Sequence, residues 1–249
     1  MIKLKKLAYP LRFTPLHPQW FSYLYNKKIY SSITRYSTGI VLDIGCGNKS
    51  QKKYLSTGCT YLGLDLPFTS INWYKNSPDL YGSAEVLPLK DSAISTVLLL
   101  DVLEHIKSPG KCLEEAYRIL SQNGILIIKI PFIYPIHDAP LDYTRWTEYG
   151  LLQLFDSYNF EIVESGKVGL PLETAALLVN IAISKHTLNW FNYKSMFFII
   201  GIILSAIIPL INIGAWLLSK AGREDFLMPH TYHFVLKKKS GAGITRNTS

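Results

Sequence analysis

Two carboxylates and two glycines in the first third of the chain are spaced to hold a nucleoside. Asp43 directly precedes a turn in which Gly45 and Gly47 bracket Cys46. Glycines there let the backbone turn sharply and approach a ligand as residues bearing Cβ cannot. Asp65 ends the next apolar run, Y-L-G-L-D, where a carboxylate can accept from both hydroxyls of a ribose. A dinucleotide would use the same geometry. Its fingerprint, however, wants a third glycine or alanine where this chain has Ser50. A carboxylate at Asp43 is also unfavourable beside a pyrophosphate and favourable beside an ammonium or sulfonium. These residues point to a nucleoside cofactor that carries positive charge.

A second group of residues could move a proton. His105 closes D-V-L-E-H, and His137-Asp138, Asp142-Tyr143 and Arg145 crowd a later loop. If the acceptor of a group transfer is a hydroxyl, a base among His105, His137 and Asp142 would help. Structural roles compete for each of them. His105 could be a helix-start residue satisfied by backbone, and Asp142 with Arg145 could be an i,i+3 ion pair that shapes the loop. Trp146 and Tyr143 read as core. The three cysteines, Cys46, Cys59 and Cys112, show no C-x-x-C spacing. They read as reduced thiols of a cytosolic compartment, with no disulfide framework, no zinc site and no metal centre expected. Cys46 is a small side chain rather than a nucleophile.

These residues need a sheet to present them. Ile40–Leu42 is apolar, β-branched at two positions and too short for a helix, so it reads as a buried strand. Further strands are expected at Thr60–Asp65, Leu80–Ala84, Ser95–Leu100, Ile125–Ile130, Phe160–Glu164 and His230–Lys237. Helices are expected from Pro18 to Arg35, from Ser108-Pro109 through Leu120 with Asn123-Gly124 as its stop, from Thr147 through Tyr158, and from Leu172 to Ser184. The segment from Pro67 to Asp79 has no clear period. Strand and helix in alternation imply an α/β fold: a Rossmann-like, seven-stranded, mostly parallel sheet with helices on both faces. Its ligands would sit at the carboxyl edge.

The chain of 249 residues is 48% hydrophobic and carries a net charge of +8, a balance that suits an anionic surface or substrate or a nucleic acid. Charge is absent between Lys194 and Lys220, and Met196–Leu218 is almost wholly Ile, Leu, Phe and Ala, interrupted by Pro209 with Asn212 and Gly214 beyond. As a straight helix it would be roughly 35 Å long, enough to cross a bilayer. Pro209 splits it into halves too short to span, so an apolar helical hairpin inserted at 194–220 before the last strand, dipping into one leaflet, is expected. Lys185 and Lys194 before it, and Lys220 and Arg223 after it, agree with both ends being cytoplasmic. A single crossing of the bilayer, and burial of the hairpin against the domain or in a homodimer, are the competing readings. The basic start, with Lys3, Lys5, Lys6 and Arg12, has no apolar segment of a secretory signal behind it. It reads as an arm over 1–17, and 238–249 as a disordered tail.

At D-I-G-C-G followed by Y-L-G-L-D, the chain resembles the class I S-adenosylmethionine-dependent methyltransferases, most closely the type 11 branch that includes quinone-biosynthesis and surface-glycan enzymes. A-E-V-L-P-L-K-D-S-A-I-S-T-V and D-V-L-E-H-I follow in the order that family has them. The resemblance implies a methyltransferase domain over 18–237 and S-adenosyl-L-methionine as cofactor. Asp43 would order the glycine loop, and Gly45, Cys46 and Gly47 would face the methionine moiety. Asp65 with Leu66 would hold the ribose, and Ala84 with Glu85 the adenine. Asp101 and Val102 would lie near the methyl group. Asn48 stands where many members have a third glycine and is expected to take its left-handed conformation. Ser83 stands where many have an aspartate for adenine. The acceptor implied is a small or lipid-linked molecule, a glycan or quinone precursor, at the cytoplasmic face of a membrane. Nucleic acid is disfavoured because the N/D-P-P-Y/F tetrad is missing after the fourth strand. A non-catalytic cofactor-binding module that dimerises through the hairpin is the alternative from another class.

Overall fold

A computed structural model describes residues 9–239. The expectations for Lys3, Lys5, Lys6 and the tail beyond 239 concern residues outside that range. Arg12 lies in a 3₁₀ turn, Tyr9–Phe13, with its guanidinium 4.7 Å from the Phe13 ring centre. The described chain forms two compact units. The sheet unit comprises Lys28–Phe132, Ile136–Gly166 and the chain from Tyr232 on; the helical unit comprises the chain up to Lys27, Ile133–Pro135 and Lys167–Thr231.

The seven strands are β1 (Ile40–Ile44), β2 (Thr60–Asp65), β3 (Leu80–Tyr81), β4 (Ile94–Leu100), β5 (Leu120–Pro131), β6 (Phe160–Val168) and β7 (Thr231–Lys238), in the order β3-β2-β1-β4-β5-β7-β6. Pairs β1–β2, β1–β4, β2–β3 and β4–β5 are parallel. β7 is antiparallel to β6: His230 N–H donates to Val168 O at one end, and Lys239 N–H to Asn159 O at the other. The expected sheet is therefore present. Alternation along the strands builds two apolar layers. Leu42, Ile44, Val97 and Leu99 pack with Cys112, Leu113, Ala116 and Ile119 of a helix Pro109–Ile119, and with Leu151 and Phe155 of a helix Glu148–Ser157. Val41, Leu98, Ile127 and Val235 face the other way, against Ile29 and Ile33 of a helix Asn26–Tyr36.

Three local expectations change. The helix expected over Pro18–Arg35 is two, α1 (Trp20–Leu24) and α2 (Asn26–Tyr36), separated by Tyr25. Asn123-Gly124 does not stop α3 (Pro109–Ile119). Leu120 already has extended backbone, and Asn123, at φ 62, lies inside β5 where the β4–β5 register shifts. An asparagine tolerates left-handed backbone in a bulge as well as at a helix end. The third strand is only Leu80–Tyr81: Gly82 N–H makes the last ladder bond, to Asp65 O at 3.1 Å, and Ser83 then folds back to pair antiparallel with Val86. After α4 (Glu148–Ser157), the last strand begins at Thr231 and runs through Lys238.

In the helical unit, α5 (Pro171–Asn192), α6 (Phe198–Ala206) and α7 (Ile208–Ala221) make the hairpin. Its turn is at 193–197, not at Pro209. Gly201 and Ser205 of α6 lie beside Thr187 of α5, and Asn212 of α7 beside Asn180, so α6 and α7 continue in one direction antiparallel to α5. Pro209 lacks an N–H and interrupts the ladder at Ile207 without reversing the chain. Each arm is thus about twice the length expected for the halves.

Candidate cofactor cleft and adjoining histidine cluster

The chain leaves β1 toward β2 and β3 on one side, and β4 lies on the other, so the order reverses between β1 and β4. Loops at such a point splay apart and leave a crevice at the carboxyl edge. A cleft enclosing about 630 Å³ with its mouth lies there, walled by Gly45, Asp65, Leu66, Ser83, Ala84, Asp101, Val102, His105 and Asp138 among others. The glycine turn is tightly fitted. Gly45 has φ +69 and a Cβ on it would stand 2.6 Å from Val102 Cγ2; at Gly47, φ +47, a Cβ would meet the Tyr74 ring at 3.1 Å. Gly45 N–H and Cys46 N–H both donate to Leu64 O, at 2.8 and 3.1 Å. The left-handed residue that follows is Lys49, φ 55, not Asn48.

Asp65 anchors this turn. Its Oδ2 accepts from Gly47 N–H at 2.9 Å, and its Oδ1 accepts from Leu66 N–H at 2.8 Å and from the Thr69 hydroxyl. An ionised carboxylate has about four acceptor sites, so capacity toward the cleft remains. Asp43, expected to favour a cationic cofactor, does not line the cleft. It is 2% exposed and accepts from the Tyr61 hydroxyl at 2.6 Å, and burial pushes its carboxyl up to about 7. Negative charge reaches the cleft from Asp65, Asp101 and Asp138 instead, and none of the described residues lining it is a lysine or arginine. Asp101, at φ 57, is held by Lys129 Nζ at 2.7 Å and by its own N–H to Lys129 O at 2.9 Å.

Glu85 is placed elsewhere: its Oε1 accepts from Ser108 N–H at 2.8 Å, at the start of α3. Cys46 is buried, with its thiol pushed up to about 12 chiefly by burial. Sequence reasoning missed Thr69, Trp73 and Tyr74, which line the cleft from a helical turn, Pro67–Thr69, continued by a π turn, Ser70–Tyr74. Their only signal was a pair of aromatics in a segment without periodicity.

The loop residues fall into one cluster. His105 lines the cleft and lies edge-on to His137, with ring centres 4.8 Å apart. Its Nδ1 donates to Leu141 O at 2.8 Å. Asp142 is paired twice with Arg145, Oδ1 to Nη1 at 2.5 Å and Oδ2 to Nη2 at 2.7 Å, and its Oδ2 also accepts from His137 N–H at 3.0 Å. Burial alone would raise this carboxyl, but Arg145 and the His137 N–H hold it down to about 2. The i,i+3 ion pair is therefore present at Asp142 and Arg145. Between the histidines lies Glu104, with a fully buried side chain and neither carboxylate oxygen hydrogen-bonded. Burial raises its carboxyl, while Glu104 in turn raises the His137 imidazole. Glu104 stood in D-V-L-E-H and was passed over.

Residues 42–128 match the family model described as "Methyltransferase domain". That segment, which carries most of the cleft wall, is thus similar to a methyltransferase domain, and the cofactor this implies is S-adenosyl-L-methionine. A Mycolicibacterium smegmatis protein named "Probable S-adenosylmethionine-dependent methyltransferase" is 24% identical over 136 residues, covering 50% of this chain and 53% of its own. An uncharacterised Methanocaldococcus jannaschii protein, MJ1252, is 33% identical over 100 residues, covering 39% and 38%. The chain thus spans about half the length of these curated relatives, or less. The crystal structure of BH2331 from Bacillus halodurans, which carries a methyltransferase name, superposes with a TM-score of 0.52 at 16% identity, covering 86% of this chain and 99% of that one. At that identity the likeness shows the fold alone. The cleft fits the cofactor: a sulfonium and ammonium match its carboxylate-rich wall.

Proposed function

We propose that this chain is a methyltransferase that transfers the methyl group of S-adenosyl-L-methionine to a small lipid-linked or lipid-like acceptor, such as a glycan or quinone precursor, at a membrane surface. The observation that carries the catalytic half is the charge of the cleft. Three carboxylates and no cationic side chain among the described lining residues suit a cationic nucleoside and would repel a pyrophosphate. When bound, the cofactor supplies an electrophilic methyl group. The chain's own part is positional. Asp65 and the glycine turn fix the nucleoside, Asp101 and Val102 border the reacting region, and His105 lies on the same wall. Alignment of this kind supplies roughly 7–11 kcal/mol of a barrier, so an in-line transfer does not always need a fixed base.

The membrane half is supported by α6 and α7. Ile199, Ile203, Leu210, Leu217 and Leu218 are each more than half exposed, and 198–221 is long and apolar enough to cross a membrane. Exposed apolar area on this scale marks a surface that meets lipid or another protein. Lys194 and Lys220 stand at the two ends of the apolar run, where headgroup phosphates would meet them. The resting place proposed is one leaflet, cytoplasmic side, with the α6–α7 run lying along the surface so that both lysines meet headgroups.

Calorimetry with S-adenosyl-L-methionine tests the first half: wild type binds, and Asp65→Ala, with the fold retained by circular dichroism, loses at least tenfold in affinity. Unchanged affinity would remove the assignment. Fractionation tests the second half: the protein should stay with membranes after a high-salt wash. Full recovery as a soluble dimer would favour the cofactor-binding module that associates through the same helices.

A further inference from the structure

We propose that Glu104, His105 and His137 form a binding site for one first-row divalent cation beside the cofactor cleft. Their ligand atoms lie within 4.8 Å of one another, and Glu104 Oε1 is 3.7 Å from His105 Nε2 and 3.7 Å from His137 Nε2. These separations are too long for hydrogen bonds. Donors each about 2 Å from a common ion stand roughly 3–4 Å apart.

Glu104 supplies the independent observation. Its side chain is wholly buried, both oxygens lack a hydrogen-bond partner, and Oε1 stands 3.7 Å from each imidazole. A buried carboxylate left in that condition is costly unless a cation compensates it. The outer contacts are those that orient metal ligands. His105 Nδ1 donates to Leu141 O at 2.8 Å, which leaves Nε2, the ring nitrogen nearest Glu104, as the one that could take an ion. His137 Nδ1 is 3.3 Å from Asp142 Oδ2 and 3.3 Å from Arg145 Nη2, which locks that ring as well. Two imidazoles and one carboxylate suit zinc, iron or manganese, and disfavour calcium and magnesium, which prefer oxygen alone.

The consequence for catalysis rests on the methyltransferase reading; the binding of the ion does not. His105 lies on the cleft wall, so an ion held there reaches an acceptor hydroxyl and lowers its pKa. The hydroxyl proton leaves to solvent. The oxygen lone pair then forms the bond to the methyl carbon while the carbon–sulfur bond of the sulfonium breaks, leaving a neutral thioether. This selects an oxygen acceptor over nitrogen or carbon.

The test is calorimetric titration of the chelator-stripped full chain with Zn²⁺ alone and with Mn²⁺ alone. One equivalent should bind, with at least tenfold weaker affinity in Glu104→Gln and in His137→Gln. Asp142→Asn, which touches only the outer layer, should weaken it about 10–100-fold. Absence of binding by wild type up to millimolar ion would overturn the proposal, as would equal binding by all variants. Cofactor affinity, measured on the same stripped samples, separates the two readings. Cofactor binding without metal binding sinks only the cation site; metal binding without cofactor binding sinks only the methyltransferase.

Discussion

Helix α3 and the α6–α7 run are both held by packing, but with opposite polarity. α3 turns Cys112, Leu113, Ala116 and Ile119 to the sheet, while Arg118 on its outer side pairs with Glu115 at 2.7 Å and Asp91 at 2.6 Å. In α6–α7 the inward positions include Gly201 and Asn212, and the outward ones are Ile199, Ile203, Leu210 and Leu217. Asn212 Nδ2 donates to Pro15 O at 2.7 Å and His17 O at 3.1 Å, and its Oδ1 accepts from Asn180 Nδ2 at 2.8 Å. Gly201 lets the two helices approach so closely that a Cβ there would stand 2.8 Å from Thr187 Oγ1. One helix is patterned for water outside and hydrocarbon inside. The other turns Gly201, Asn212 and the apolar Ile208 inward and leaves a row of large apolar side chains exposed, the pattern of a surface that meets lipid or another protein.

Substitution at matched positions separates these designs. Leu113→Ala should cost about 2–5 kcal/mol in urea unfolding, since it empties a filled core site. Asn212→Leu should cost about 1–3 kcal/mol despite adding apolar surface, because it strands the Asn180 amide and Pro15 O, while His17 O keeps Trp20 N–H; thermal unfolding in detergent reads it. The double change Ile203→Asp with Leu210→Asp should shift stability by less than about 1 kcal/mol, yet abolish flotation with vesicles of mixed neutral and anionic lipid. A large loss of stability in that double variant would mean that the face is buried in the protein's own assembly, and the contrast with α3 would collapse.

Much of the sheet was readable because its signals are local. A short β-branched run such as Ile40–Ile44, a carboxylate at the end of Thr60–Asp65 and glycines after β1 each fix one conformation within a few residues. The hairpin was readable as an insertion, but its turn was not. Pro209 is a strong local interruption, yet the long-range pairing of Thr187 with Ser205 and of Asn180 with Asn212 keeps the chain on course. Asn123-Gly124 misled in the same way, as a residue pair used by both helix ends and strand irregularities.

By itself the sequence determined which segments become strands, which loop is glycine-lined, and that a stretch without charge precedes the last strand, all properties of neighbours in the chain. Only the tertiary structure decided which carboxylates face the cleft. Asp43 is turned inward to Tyr61, while Asp65 at the end of β2 converges with Asp101 and Asp138 from two separate loops. It likewise brought His137 to Glu104 and His105. Such meetings depend on how a twisted sheet places the ends of distant strands, and no local pattern records that.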